Sequence, residues 1–101
     1  MKVYLVATVE IHDPTALKPY IEQVPAVVQQ YGGRYLVRGG ELEVIEGRWP
    51  VRRVTVVEFP SMKQARKWWD SPEYAPYKAL RAKATTTNAV FVEGIAEEQA
   101  E

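Results

Sequence analysis

Three observations predict a two-layer α+β fold. Period-two apolar runs open and close the chain. Apolar residues at three- and four-residue steps fill the stretches between them. Two stretches, TVEIHDPTALKPY and VVEFPSMKQARKWW, repeat one order of strand, glutamate, bulky apolar residue, cap and helix. The element order is therefore β-α-β-β-α-β in two similar halves. That is the ferredoxin-like plan, a four-stranded antiparallel sheet with its first and third strands in the middle and both helices on one face.

Residues 3–11, VYLVATVEI, alternate strictly. Val3, Leu5, Ala7, Val9 and Ile11 share one face, and Tyr4, Val6, Thr8 and Glu10 the other, the signature of a strand. His12-Asp13-Pro14 stops it, with Asp13 suited to an N-cap and Pro14 to a first helical position. Leu17, Tyr20, Ile21, Val24, Val27, Val28 and Tyr31 form a helical stripe. Pro25 sits inside the stripe and is expected to kink or interrupt the helix, since it removes a hydrogen bond and clashes backward.

YGGRYLVRGG, residues 31–40, sets glycine pairs beside arginines and raises the question of a phosphate cradle. Such cradles run strand, glycines, then a helix N-terminus aimed at the anion. Here Gly32 ends a helix as a left-handed C′ residue and a strand, Arg34 to Arg38, follows. Gly39-Gly40 implies a bulge or bend. Residues 42–46 (LEVIE) and 51–59 flank Gly47-Arg48-Trp49-Pro50 and predict a hairpin. Ser61 caps a second helix with Met62, Ala65, Trp68 and Trp69 on its apolar side. DSPEY restarts helix, with Ser71 as cap and Pro72 first, and Tyr74, Tyr77, Leu80 and Ala84 continue the stripe. Residues 85–94 make the last strand. A single domain over residues 1–95 is expected, followed by a flexible acidic tail, 96–101.

Composition narrows the function classes. Lys plus Arg is 13 and Asp plus Glu is 13, so the chain lacks the net basic charge of a nucleic-acid binder. The pair Arg52-Arg53 and the cluster Lys63, Arg66 and Lys67 read as solvated faces. Without cysteine there is no disulfide, thiolate metal site or thiol nucleophile, and His12 is the only histidine, so no metal site is expected. No apolar run reaches the roughly 20 residues of a membrane span. The expected compartment is the cytoplasm.

The repeat matches Leu5, Ala7, Val9 and Ile11 with Arg53, Thr55, Val57 and Phe59 on the helix side of the sheet. Tyr4, Val6, Thr8, Val54 and Val56 then face outward, too apolar to leave in water. The expected cover is the same face of a second copy around a two-fold axis, giving a homodimer that approaches a closed barrel.

YGGRYLVRGG, Glu46-Gly47, EFPS at 58–61, WWDSPEY at 68–74, Leu80-Arg81 and the closing VEG together resemble the domain-of-unknown-function family 1330, from about Val3 to Gly94. The family is similar to the dimeric α/β-barrel superfamily. That resemblance implies a ferredoxin-like protomer, face-to-face dimers, and kinship with cofactor-free monooxygenases, lactone isomerases, haem-dependent enzymes and ligand-sensing domains. Trp69 departs from the pattern, standing where the family commonly has tyrosine.

The chemistry-bearing residues are an aromatic and arginine set. A site is expected in the cleft between helices and sheet, near His12, Arg38, Trp69 and Tyr74, for a small anionic ligand. His12 and Arg38 are the catalytic candidates, as general base and as a fork for a carboxylate or enolate. Tyr31, Arg34, Trp69, Tyr74 and Arg81 are the ligand-binding candidates, although Tyr31, Trp68 and Trp69 also fit the core through their place on helical stripes. Glu10 and Glu58, equivalent by the repeat, are expected to neighbour each other or to pair with Arg52 or Arg34. No cofactor is expected. The expected function is a cofactor-independent enzyme on a small organic acid or cyclic compound; the alternative is a non-catalytic ligand-binding or structural dimer.

Overall fold

The computed structural model describes residues 1–96; the expected tail beyond Ala96 lies outside them. The elements are β1 (Val3–Ile11), α1 (Pro14–Gln30), β2 (Arg34–Arg38), β3 (Arg53–Phe59), α2 (Met62–Trp69), α3 (Ala75–Ala84) and β4 (Thr85–Glu93). The sheet order is β2-β3-β1-β4, antiparallel throughout. The ferredoxin-like plan holds, with the first and third strands central. The domain is a slab 17 Å deep, about the depth of one sheet and one helix layer.

Asp13 caps α1 as expected, its Oδ1 accepting from the Ala16 N–H at 3.0 Å. At the other end Gly33 N donates to Val28 O and Gly32 N to Gln29 O, the paired bonds of a Schellman turn, with Gly32 at φ 81°. Gly33 is constrained differently. A Cβ there would lie 2.5 Å from Val28 Cγ1 and 2.8 Å from Phe59 Cε1, so the turn is pressed onto the core.

Pro25 does not interrupt α1, which runs unbroken through Pro19 and Pro25. The reason lies in the sheet. A proline at 25 leaves the Ile21 carbonyl without its helical donor, and Arg38 Nη2 donates to that oxygen at 2.6 Å.

The second and third strands also differ from expectation. Residues 42–46 form no strand, and β3 starts at Arg53 rather than 51. Both edges of β3 are taken by β1 and β2, so LEVIE cannot form the expected hairpin with it; among the described residues it joins no other strand, and strand propensity is realised only against a neighbour. The bulge falls between Tyr35 and Val37 rather than at Gly39-Gly40. Gly39, at φ 67°, is where the chain turns out of the sheet.

Glu10 and Glu58 are not neighbours. The register sets Glu58 opposite Tyr4 and leaves Glu10 at the far end, because equivalent positions of two antiparallel strands sit at opposite ends. Glu58 instead pairs with Arg34 Nη2 at 2.9 Å, as the alternative held, and with Lys2 Nζ at 3.2 Å. The Lys2 hydrogen bond, then Arg34, hold its carboxyl below the usual carboxylate range.

Ser71 is buried and works as a staple. Its Oγ donates to Trp68 O at 2.8 Å and accepts from Tyr74 N at 3.1 Å. The turn it makes delays α3 to Ala75 instead of opening a helix at Pro72.

The helix-facing side of the sheet carries cross-strand rows. Phe59 and Val3 form one, and Tyr35, Val57, Leu5 and Phe91 the next. With Val24, Val28, Ala65, Trp68 and Tyr74 they build the core. The following row is Arg38, Thr55, Ala7 and Ala89, and the one after it Arg53, Val9 and Thr87.

Candidate functional site

That change from large to small side chains opens a cleft. Thr55, Ala7 and Ala89 cannot fill the space beneath the helices that Val57, Leu5 and Phe91 fill one row earlier, and the cleft lies over them. Leu17, Tyr20 and Ile21 of α1, Trp68 and Trp69 of α2, Tyr74 and Arg81 form its roof; Tyr35, Arg38, Arg53, Thr85 and Thr87 complete the walls. Its volume, measured to water centres, is about 70 Å³, where one water needs roughly 10–15 Å³. Several waters or a small flat molecule fit.

Four of the sequence candidates meet here: Arg38, Trp69, Tyr74 and Arg81. Three lie elsewhere. His12 is exposed past the end of β1, its Nε2 2.6 Å from Thr86 Oγ1 and its Nδ1 3.8 Å from Glu10. Tyr31 donates to Glu73 at 2.5 Å outside the cleft. Arg34 lies on the opposite sheet face with Glu58.

Tyr20, Tyr35 and Arg53 join the site without having been candidates. Tyr20 stood on the α1 stripe, where it looked like core. Arg53 was legible by strand parity, which already put it on the helix side, but its pairing with Arg52 suggested solvent. In the structure the Arg53 guanidinium lies against Gly39, so closely that a Cβ at Gly39 would come within 2.5 Å of it.

The polar groups form a connected set. Tyr20 and Tyr74 share a hydrogen bond of 2.7 Å between their hydroxyls, and Arg81 Nε donates to Tyr74 Oη at 3.4 Å. Arg81 and Lys78 lie over the Trp69 ring, at 5.7 and 4.6 Å from its centroid. The Arg38 guanidinium stands 5.1 Å from the Tyr35 centroid. Burial, then the neighbouring Tyr74 hydroxyl, push the Tyr20 phenol far up, so it stays neutral and acts as a hydrogen-bonding group, a weaker acid than an ordinary tyrosine and not a base. Burial also raises Tyr35, against the opposing pull of Arg38. Burial draws Arg81 toward neutrality, but the Tyr74 and Tyr20 oxygens outweigh it and hold the guanidinium as a cation. Trp68 Nε1 is buried with no hydrogen-bond partner among the described residues.

Three arginines thus line one cleft, and among the described residues no aspartate, glutamate or histidine lines it. Guanidinium groups without carboxylate partners, set among aromatic faces, are equipped to hold a flat anion. The described residues contain no cluster of three or more metal-ligating side chains and no helix long and apolar enough to cross a membrane.

Fold and cleft define a class, the ferredoxin-like α+β proteins with a helix-roofed cavity on one face of an antiparallel sheet. Within it, the chain belongs to the family described as Domain of unknown function (DUF1330), whose model matches residues 2–95. Among solved structures it is similar to a protein of unknown function from Rhodopseudomonas palustris, at 16% identity and TM-score 0.75 over 94% of this chain and 83% of that one. A variant of SnoaB, a cofactor-independent oxygenase from Streptomyces nogalater, matches at 14% identity and TM-score 0.70, over 99% and 98% of the two chains. A dimeric ferredoxin-like protein of unknown function from Jannaschia sp. CCS1 matches at 11% identity and TM-score 0.65, over 93% and 100%. No curated protein matches the chain significantly.

Proposed function

We propose that the cleft binds a small, flat organic acid and stabilises its enolate-like anion, as a cofactor-independent enzyme. The observation that carries this reading is the set Arg38, Arg53 and Arg81 lining one aromatic cleft with no carboxylate among the described lining residues. The roles follow from geometry. Arg81 and Tyr74, joined at 3.4 Å, donate to an oxyanion. Tyr20, bonded to the Tyr74 hydroxyl at 2.7 Å, orients that hydroxyl toward the ligand. Trp69 packs against the ring or conjugated plane. The likeness to the oxygenase SnoaB agrees with this chemistry but reaches only the fold.

A second reading, binding without turnover, is favoured by the absence of any aspartate, glutamate or histidine among the described lining residues, since enolisation needs a base. One experiment separates the two. An enolisable β-keto acid amide and its parent carboxylate are incubated with the protein in D2O and followed by NMR. Deuterium exchange above background, lost in Arg81→Gln, supports catalysis. A raised melting temperature without exchange leaves binding alone. Neither effect with any carboxylate removes both.

We also propose a homodimer through the open sheet face. Val37, Val90 and Val92 are exposed there beside Val54 and Val56, in a contiguous apolar surface. The dimeric ferredoxin-like relative from Jannaschia supports the arrangement. Sedimentation at micromolar concentration is expected to give twice 11.5 kDa, and Val56→Asp to give monomer or aggregate; a wild-type monomer overturns the dimer.

A further inference from the structure

We propose that the ligand is a dianion carrying two separated carboxylates on a flat, unsaturated body; this rests on the reading of the cleft as an organic-acid site. The three cationic groups do not enter from one side. Arg81 descends from α3 in the helix layer, tied to Tyr74. Arg53 rises from β3 in the sheet, its head resting on Gly39. Arg38 comes from the edge strand β2 with one N–H given to the Ile21 carbonyl. A guanidinium has five N–H donors, so Arg38 and Arg81 keep most of theirs, and the Arg53 guanidinium makes no hydrogen bond among the described residues.

Charge argues for two anionic groups. A monoanion leaves one of the two half-buried cations, Arg53 and Arg81, unbalanced in a partly desolvated cleft, where like charges disfavour one another, while the exposed Arg38 is screened by water. Position argues for separating those groups. Arg81 and Arg53 belong to opposite layers, so a carboxylate at each end of a planar body meets both, whereas one compact anion favours one layer. The aromatic rings of Trp69, Tyr20 and Tyr35 supply flat faces for the body between.

The test is calorimetry on the full chain at low salt with four probes: benzoate, terephthalate, neutral terephthalamide and inorganic phosphate. Terephthalate is expected to bind at least about tenfold more tightly than benzoate, the effect of one further charge-assisted contact, and terephthalamide more weakly than either. Arg81→Gln and Arg53→Gln are each expected to bring the preference for terephthalate down to about twofold or less. Arg81→Lys, which keeps the charge without the fork, serves if the glutamine variant melts early. Equal affinity for benzoate and terephthalate overturns the dianion and leaves the organic-acid cleft standing. Phosphate binding as tightly as terephthalate overturns the separation of the two charges. Silence from all four probes overturns the dianion and the cleft reading together.

Discussion

The two ends of the helix-facing sheet surface are built from the same strands and covered by the same layer of helices, yet one is solid and the other open. At the solid end Val3, Phe59 and Trp68 are at most 1% exposed, and the Phe59 and Trp68 rings stack at 5.4 Å. Two rows along, Thr55, Ala7 and Ala89 leave a space that arginines and tyrosines surround. No insertion or separate domain makes the cleft. A change in side-chain volume along three adjacent strands is enough, since close-packed interiors leave voids only where atoms are missing. The solid end holds the fold, so the open end is free to carry unpaired charge.

The largest expected effect tests that division directly. Phe59→Ala removes a fully buried side chain that does not line the cleft and should cost roughly 3–5 kcal/mol, a large share of the stability of a domain this size. Thr55→Ala, on the same face of the sheet, should cost below about 1 kcal/mol, since it deletes atoms bordering an existing space. Urea unfolding of both variants measures the contrast. Comparable losses at the two positions would mean that the open end is as much core as the other.

Filling the open end sharpens the comparison. Ala89→Leu puts a branched side chain into the cleft beside Ala7. In a packed core such overpacking costs about 1–3 kcal/mol; over a cleft the cost should fall below that range, while carboxylate binding is lost. A strongly destabilised Ala89→Leu that still binds would contradict the position of the site.

Alkaline pH distinguishes the ends through Tyr20. Its phenol is raised by burial and then by Tyr74, so above pH 10 the unfolded chain has lost a proton that the folded chain keeps. The contribution is complete below pH 10 and is then lost with a slope of up to about 1.4 kcal/mol per pH unit. Tyr20→Phe should flatten that limb of the stability curve. An unchanged slope would place the proton elsewhere.

How much of this was legible in the sequence differs between the two ends. Strand order, both sheet faces, the Asp13 cap and the Gly32 turn follow from periodicity and backbone chemistry, which act over neighbouring residues. The solid end follows too, because Val3, Leu5, Val57 and Phe59 alternate and Val24 and Val28 keep helical spacing. The cleft was half legible. Arg38, Trp69, Tyr74 and Arg81 carried enough chemical character to be picked out, but only the register shows that Thr55, Ala7 and Ala89 form one row. His12, Tyr31 and Arg34 have suitable chemistry but lie away from the cleft, past a strand end, at the C-terminal end of α1 and on the opposite sheet face. The segment 42–46 has the pattern of a strand, but β3, its expected hairpin partner, has both edges taken. In each case the missing information is a contact between residues distant in sequence.

The smallest expected effect concerns Arg38, which belongs to both ends of the comparison: it lines the cleft and also supports a helix. Its Nη2 bonds the Ile21 carbonyl, the oxygen that Pro25 leaves without a donor. If the support is the larger role, Arg38→Gln destabilises the protein. The magnitude should stay near or below about 1 kcal/mol, because the side chain is exposed and water can take its place. Pro25→Ala gives residue 25 an N–H of its own, able to reach the Ile21 oxygen from within the helix. In that background Arg38→Gln should cost nothing measurable, so the double-mutant cycle isolates the bridge from every other contact of the arginine. Ligand affinity provides the other readout. Arg38→Gln should weaken carboxylate binding equally with proline or alanine at position 25, since the anion meets the guanidinium and not the helix. If Pro25→Ala restores affinity along with stability, Arg38 acts on the ligand only by holding α1 in place, and the charge in the cleft falls to Arg53 and Arg81.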